Sequence, residues 1–154
     1  MTDFAIIWDS VEGRGDWSVT SGDIAIGNDL ETAVMISLFT DRVASEDYVP
    51  PTGSPPGRRG WWGDTYEEQL GNTPIGSRLW QLNRAVKNDA KAVLNEARDM
   101  CTEALQWLLD DNVATSVTVN TAWLDKQTLG ISIQITGPAV GDVGFNFQWA
   151  WQGL

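Results

Sequence analysis

Apolar and polar positions alternate with two different periods along this chain, and the change of period divides it into elements. Ala90, Leu94, Ala97, Cys101, Ala104 and Leu108 step by 4, 3, 4, 3 and 4, which places them on one helical stripe. Asn88 or Asp89 stands ready to cap the start, and Asp110-Asp111-Asn112 marks the end, so a helix of about six turns is predicted. Val93, Met100 and Trp107 widen its apolar surface, so the helix is expected to be covered on more than one side. Beyond it the period falls to two. Val117, Val119 and Trp123 alternate with Thr118, Asn120 and Ala122. Ile131, Ile133 and Ile135 alternate with Ser132, Gln134 and Thr136, after a turn at Asp125-Lys126-Gln127-Thr128. Past Gly137-Pro138, Phe145, Phe147, Trp149 and Trp151 alternate with Asn146, Gln148 and Ala150. Three half-buried strands joined by short links predict an antiparallel meander on the long helix, an α+β fold.

The N-terminal part is patterned more weakly. Phe4–Trp8 reads as a short strand, and Asp16–Val19 with Asp23–Ile26 as a hairpin around Thr20-Ser21-Gly22. Asp29 and Glu31 suit the first turn of a helix whose apolar face carries Leu30, Val34, Met35, Leu38 and Phe39, ending near Arg42. Residues 44–63 form a long loop, because Pro50-Pro51, Pro55-Pro56, Gly53 and Gly57 sustain neither a helix nor a central strand. Thr73-Pro74 reads as the cap and first position of a short helix reaching about Arg84. With these two further helices, residues 1–154 form a single domain.

Composition narrows the function classes. The 154 residues are 42% hydrophobic and 20% charged, a globular balance with enough chain for a real core. No apolar run approaches the length of a membrane span. The first residues show no basic region or cleavage site of a signal peptide. The formal charge is −11, and residues 1–50 hold ten Asp and Glu against Arg14 and Arg42 alone. Such a chain repels phosphate, so nucleic acid is an unexpected partner. The acidity serves solubility, or a basic protein partner for the N-terminal third. The lone Cys101 cannot form an internal disulfide, fits a reducing cytoplasm and reads as a packed thiol.

The chain has no histidine. That removes His-activated nucleophiles and His-based metal sites, and no cofactor or metal is expected. No phosphate-binding loop, nucleophile elbow or dinucleotide fingerprint appears. Arg14-Gly15-Asp16 spells an integrin-type tripeptide and is taken as coincidence. Carboxylates alone suffice for glycoside hydrolysis. Asp41, Asp64, Glu67 and Glu68 are the candidates, with Trp61, Trp62 and Trp80 able to stack on sugar faces; a carbohydrate-binding module without catalysis would use the same tryptophans.

The densest signal is Arg58-Arg59-Gly60-Trp61-Trp62-Gly63-Asp64, followed by Gly76-Ser77-Arg78-Leu79-Trp80. Trp and Arg are enriched at binding hot spots. Either the tryptophans fill the core, with Arg58, Arg59 and Arg78 paired to Asp41 or Asp64, or the block anchors a partner.

Together with Leu38-Phe39-Thr40-Asp41-Arg42 and Glu103-Ala104-Leu105-Gln106-Trp107-Leu108, this order resembles the Mu-type phage tail family that supplies the small baseplate wedge subunit. That family is related to the small wedge protein of T4-type contractile tails. The resemblance runs from about Asp23 to Thr121, and the C-terminal strands match only in kind. It implies a non-enzymatic subunit of a virion tail baseplate, assembled in the host cytoplasm. The implied partners are a larger wedge protein, and also spike, hub and sheath proteins, since strands of the T4-type relatives start sheath polymerisation. Arg42, Arg58, Arg59, Trp61, Trp62, Asp64, Ser77, Arg78, Trp80 and Trp107 carry the signature, as interface or as structure. Phe145, Phe147, Trp149 and Trp151 would form an edge strand open to strand addition. T4-type relatives are labelled lysozyme-like, so a peptidoglycan-cleaving enzyme is the alternative. They carry Glu-Pro-Arg after the long helix, where this chain has Asp110-Asp111-Asn112-Val113.

Overall fold

The structure is a computed structural model that describes residues 2–4, 6–9, 11–12, 14–17, 19–20, 23–24, 26–50, 57–64, 74–84, 90–126 and 128–150. Six short strands come first: β1 (Thr2–Phe4), β2 (Ile6–Asp9), β3 (Arg14–Trp17), β4 (Val19–Thr20), β5 (Asp23–Ile24) and β6 (Ile26–Asn28). Helix α1 (Asp29–Phe39), a 3-10 helix (Leu79–Arg84), α2 (Ala90–Ala104) and the single turn α3 (Trp107–Asp110) follow. Strands β7 (Ser116–Trp123), β8 (Thr128–Gly137) and β9 (Gly141–Ala150) are the last elements among the described residues. The architecture is α+β.

The C-terminal strands form an antiparallel sheet of order β7-β8-β9. Its pairing turns the period of two into rungs. Val119 stands opposite Ile133, which stands opposite Phe145; Thr121, Ile131 and Phe147 form the next rung. Leu129, Ile131, Ile133 and Ile135 are fully enclosed, with Phe145 and Phe147 beside them. Each such side chain contributes roughly 1.5–3 kcal/mol of transfer free energy, so this face is the main source of stability.

Helix α2 lays Ala97 and Cys101 on that face and also buries Val93 and Ala104. The small alanines bring helix and sheet close enough for direct polar ties. The Thr121 hydroxyl donates to the Leu94 carbonyl at 2.8 Å, and the Trp123 indole donates to the Ala90 carbonyl at 3.1 Å. Helix α1 inserts Val34, Met35 and Leu38, and Phe39 meets Phe147 edge-on at 5.6 Å. Leu79 and Leu82 of the 3-10 helix and Leu105 and Leu108 complete the core.

Several expectations are corrected. The long helix does not run unbroken to Leu108. It tightens after Ala104, where the Gln106 N–H donates to Glu103 three residues back, before one further turn forms. The break lets Leu105 and Leu108 both turn inward, while Ala90, at the start of the stripe, is exposed. Its capping residues, Asn88 and Asp89, lie outside the described residues.

No helix starts at Pro74. Residues 74–78 are irregular because Gly76 adopts φ +100° and Ser77 bridges to Asp41, so helical hydrogen bonding begins only at Leu79. Thr73 lies outside the described residues, as do 51–56. Helix α1 ends at Phe39, short of Arg42, because Asp41 enters that same bridge.

Near the N-terminus, the single strand Phe4–Trp8 is two, β1 pairing with β6 and β2 with β3. The Asp16–Val19 segment therefore pairs differently than expected: Trp17 stands opposite Ile6, and only Val19-Thr20 pairs with Asp23-Ile24. Asp9 explains the change. Its carboxylate accepts the N–H groups of Val11 at 2.8 Å and Glu12 at 3.0 Å, closing a turn that brings Arg14–Trp17 back onto β2. These two N–H groups also hold the Asp9 carboxyl below its ordinary range. Ser21 and Gly22 lie outside the described residues, as does Gln127 in the later turn.

Candidate functional site

The two halves of the Trp/Arg block meet at the end of α1. Gly76 makes this contact: a Cβ there would run into the Thr40 carbonyl, so only glycine lets the chains approach. The Ser77 N–H then donates to the Thr40 carbonyl, and the Arg42 N–H to the Ser77 carbonyl, both at 2.9 Å. The buried Ser77 hydroxyl donates to the Leu38 carbonyl and accepts the Leu79 N–H at 3.2 Å. It thereby satisfies an open carbonyl of α1 and an open N–H of the 3-10 helix at once.

Trp80 follows from this placement. It is 4% exposed, and its indole N–H donates to the Arg42 carbonyl at 2.9 Å. Tyr48 meets it edge-on at 5.4 Å, and the Arg59 guanidinium covers it at 4.9 Å from the ring centroid. Arg59 also pairs with Asp41 at 2.6 Å. Both charged partners are about two-fifths exposed, so this pair adds at most about 1 kcal/mol. Arg58 is exposed and contributes its carbonyl, which accepts the Ala44 N–H at 2.8 Å.

Asp64 closes the block. It is buried, its N–H donates to the Trp61 carbonyl at 3.1 Å, and its Oδ1 accepts the Ile75 N–H at 3.0 Å. Gly63 lies under the half-buried Trp61 ring, which a side chain at 63 would displace. Trp62 leans on Trp61, with ring centroids 5.3 Å apart, yet is 85% exposed. The block thus holds a core tryptophan, Trp80, and a solvent-facing one, Trp62.

Arg78 does not pair with Asp41 or Asp64. Its Nε and Nη2 both donate to Oε2 of Glu103, at 3.0 and 2.7 Å. Arg42 approaches the other oxygen of Glu103 at 3.8 Å. Glu103 ties the block to α2; the sequence offers it only within the motif that carries the resemblance, next to Ala104 on the stripe, and not as the partner of Arg78. The Trp107 indole donates to the Ser37 hydroxyl at 3.0 Å, which itself donates to the Ala33 carbonyl at 2.8 Å.

Asp41, Ser77, Arg42, Arg59 and Trp80 are therefore one cluster, with Arg78 joined to it through Glu103 of α2 and Trp107 tied to Ser37 of α1. Phe145 and Phe147 lie elsewhere, on the core face of β9, which pairs with β8 and forms an edge of the C-terminal sheet. Trp149 stands opposite Leu129 in β9, and Trp151 lies outside the described residues. Of the carboxylates considered for sugar chemistry, Asp41 faces Arg59 and Asp64 holds a backbone N–H; Glu67 and Glu68 lie outside the described residues. Among the described residues no group of three His, Cys, Asp or Glu is placed to hold a metal ion, and no helix is long and apolar enough to cross a membrane.

A family described as phage protein GP46 matches residues 30–142, a span that includes the whole cluster. The baseplate protein gp46 of Escherichia phage Mu is 39% identical over 154 residues, covering 100% of both chains. The Mu-like prophage FluMu protein gp46 of Haemophilus influenzae is 38% identical over 120 residues, 77% of this chain and 75% of that protein. The chain belongs to the phage protein GP46 family, the Mu-type family of phage baseplate proteins.

Proposed function

We propose that this protein is a structural subunit of a contractile phage or prophage tail baseplate, where it joins a larger wedge protein around the tail hub. The observation that carries the reading is the exposure of Trp62 on a rigid support. An indole 85% open to solvent stands on a loop tied at both sides, by the Arg58 carbonyl to the Ala44 N–H and by the Asp64 carboxylate to the Ile75 N–H. A preorganised aromatic anchor binds without the ordering cost of a mobile loop. The role is one of assembly, in the virion tail, with the subunit put together in the host cytoplasm. In the same reading β9, an edge of its sheet, offers backbone groups to strands of spike or sheath proteins.

The test is co-expression with the large wedge protein of the same phage or prophage. Trp62→Ala is expected to leave the thermal midpoint of the isolated protein unchanged and to abolish co-purification. Trp80→Ala is expected to lose the fold itself, because its indole is enclosed and hydrogen-bonded. Full retention of the complex by Trp62→Ala would sink the interface role of this tryptophan.

A further inference from the structure

Helix α1 turns Val34, Met35 and Leu38 inward, yet Ile36 faces out and is 42% exposed. It separates two grooves. The first, about 380 Å³, lies between α1 and the β2–β3 hairpin and is walled by Ile6, Trp17, Met35 and Phe39. The second, about 460 Å³, lies on the other side of Ile36, where α1 faces the break between α2 and α3; its apolar wall is Ala33, Ile75, Ala104 and Trp107. Trp17 is 65% exposed at the far side of the first groove, and Trp107 is half-buried in the second. The outcome is an apolar strip with Ile36 as its ridge and a tryptophan on each side. It is separate from Trp62.

The charges around the strip select its occupant. Asp16 borders the first groove and Asp110 the second. Asp16 accepts its neighbour's N–H and Asp110 the Gln106 amide, and neither forms an ion pair with a described residue. Arg42 and Glu103 also line the second groove and face each other at 3.8 Å, with Arg78 on the far oxygen of Glu103. Residues 1–50, which supply α1 and the β2–β3 hairpin, hold ten carboxylates against two arginines. A second copy of this chain, at −11, is repelled, and so is nucleic acid.

We propose that the strip seats a basic segment of a partner protein, with one apolar side chain in each groove on either side of Ile36 and Lys or Arg facing Asp16 and Asp110. Apolar anchors supply the affinity, and the flanking charges set orientation and encounter rate.

The full-length protein, titrated with a synthetic amphipathic Leu/Lys peptide, tests this by NMR of the indole N–H signals. The Trp17 and Trp107 signals are expected to shift while that of Trp62 does not. Ile36→Lys is expected to weaken binding by about tenfold or more, through a lost apolar contact and a like charge. The double variant Asp16→Asn, Asp110→Asn makes no change in the core and is expected to weaken it about threefold or more. The proposal is overturned if the two indoles do not respond, if the same peptide with Glu for Lys binds equally well, or if either variant binds as the parent does.

Discussion

The guanidinium of Arg59 lies 4.9 Å above the indole of Trp80 while its Nη1 reaches Asp41 at 2.6 Å. One side chain thus covers the buried tryptophan and ties the loop to the end of α1. It does so from a left-handed backbone, φ 53°, which costs a residue with a Cβ about 1 kcal/mol or more.

That geometry separates two substitutions. Arg59→Ala loses the stacking and the ion pair but keeps the backbone cost, and is expected to destabilise by about 1–2 kcal/mol. Arg59→Gly loses the same contacts and relieves the backbone, so it is expected to be the more stable of the two by about 0.5 kcal/mol, after the entropy that glycine adds to the unfolded chain. Urea denaturation of both variants measures the order, and an alanine variant as stable as the glycine one would contradict it.

Gly76 and Gly141 both have positive φ, +100° and +74°, but only Gly76 has a carbonyl where a Cβ would go. Gly141→Ala is expected to cost only the backbone strain, about 1–2 kcal/mol. Gly76→Ala must also separate Ser77 from Thr40, and is expected to cost about 3 kcal/mol or more or to prevent folding. Thermal midpoints compared side by side decide this; equal losses would mean that the bridge at residue 77 is not a stabilising contact.

Glu103 receives both Arg78 and Arg42, with its side chain 39% exposed. A double-mutant cycle of Arg78→Ala with Glu103→Ala is expected to give a coupling of about 0.5–1 kcal/mol, reduced in 1 M salt. A coupling that salt does not change would assign the effect to packing of the side-chain stems.

Burial on the core stripe pushes the Cys101 thiol from its ordinary 9.0 up to about 12. The thiol is neutral in the fold, while the unfolded chain releases its proton first as pH rises. The unfolded state then binds fewer protons, so the stability contributed by the neutral thiol is complete below pH 9.0 and is lost between there and about 12. At pH 8 an aromatic disulfide reagent is expected to label the protein in urea and to leave the native protein unlabelled. Cys101→Ala is expected to flatten the alkaline decline in the denaturation midpoint, and an unchanged decline would assign it to other groups.

The C-terminal sheet was legible because its rungs depend only on alternation: Val119, Ile133 and Phe145 are spaced to share a face whatever lies above them. The stripe of α2 was legible for the same reason, but not its break. Leu105 lies just off the stripe, and only packing against α1 and the sheet shows why it turns inward. The Trp/Arg block marked the site without revealing its division. Trp62 and Trp80 differ in burial because Gly76 and Ser77 dock on Thr40 and Arg42, a pairing between residues far apart in sequence. The N-terminal strands and the hairpin of Val19-Thr20 with Asp23-Ile24 were legible, but not the pairing of Arg14–Trp17 with β2, because Asp9 sets that turn and a single Asx turn leaves no periodic trace.

Three ties, Arg42 to Ser77, Ala44 to Arg58 and Asp64 to Ile75, are nested along the chain. They divide one long excursion into two shorter ones, each closed at its own base. The closure cost of a loop grows only with the logarithm of its length. The platform under Trp62 therefore rests on three separate closures, and loss of one leaves the other two holding their own bases together.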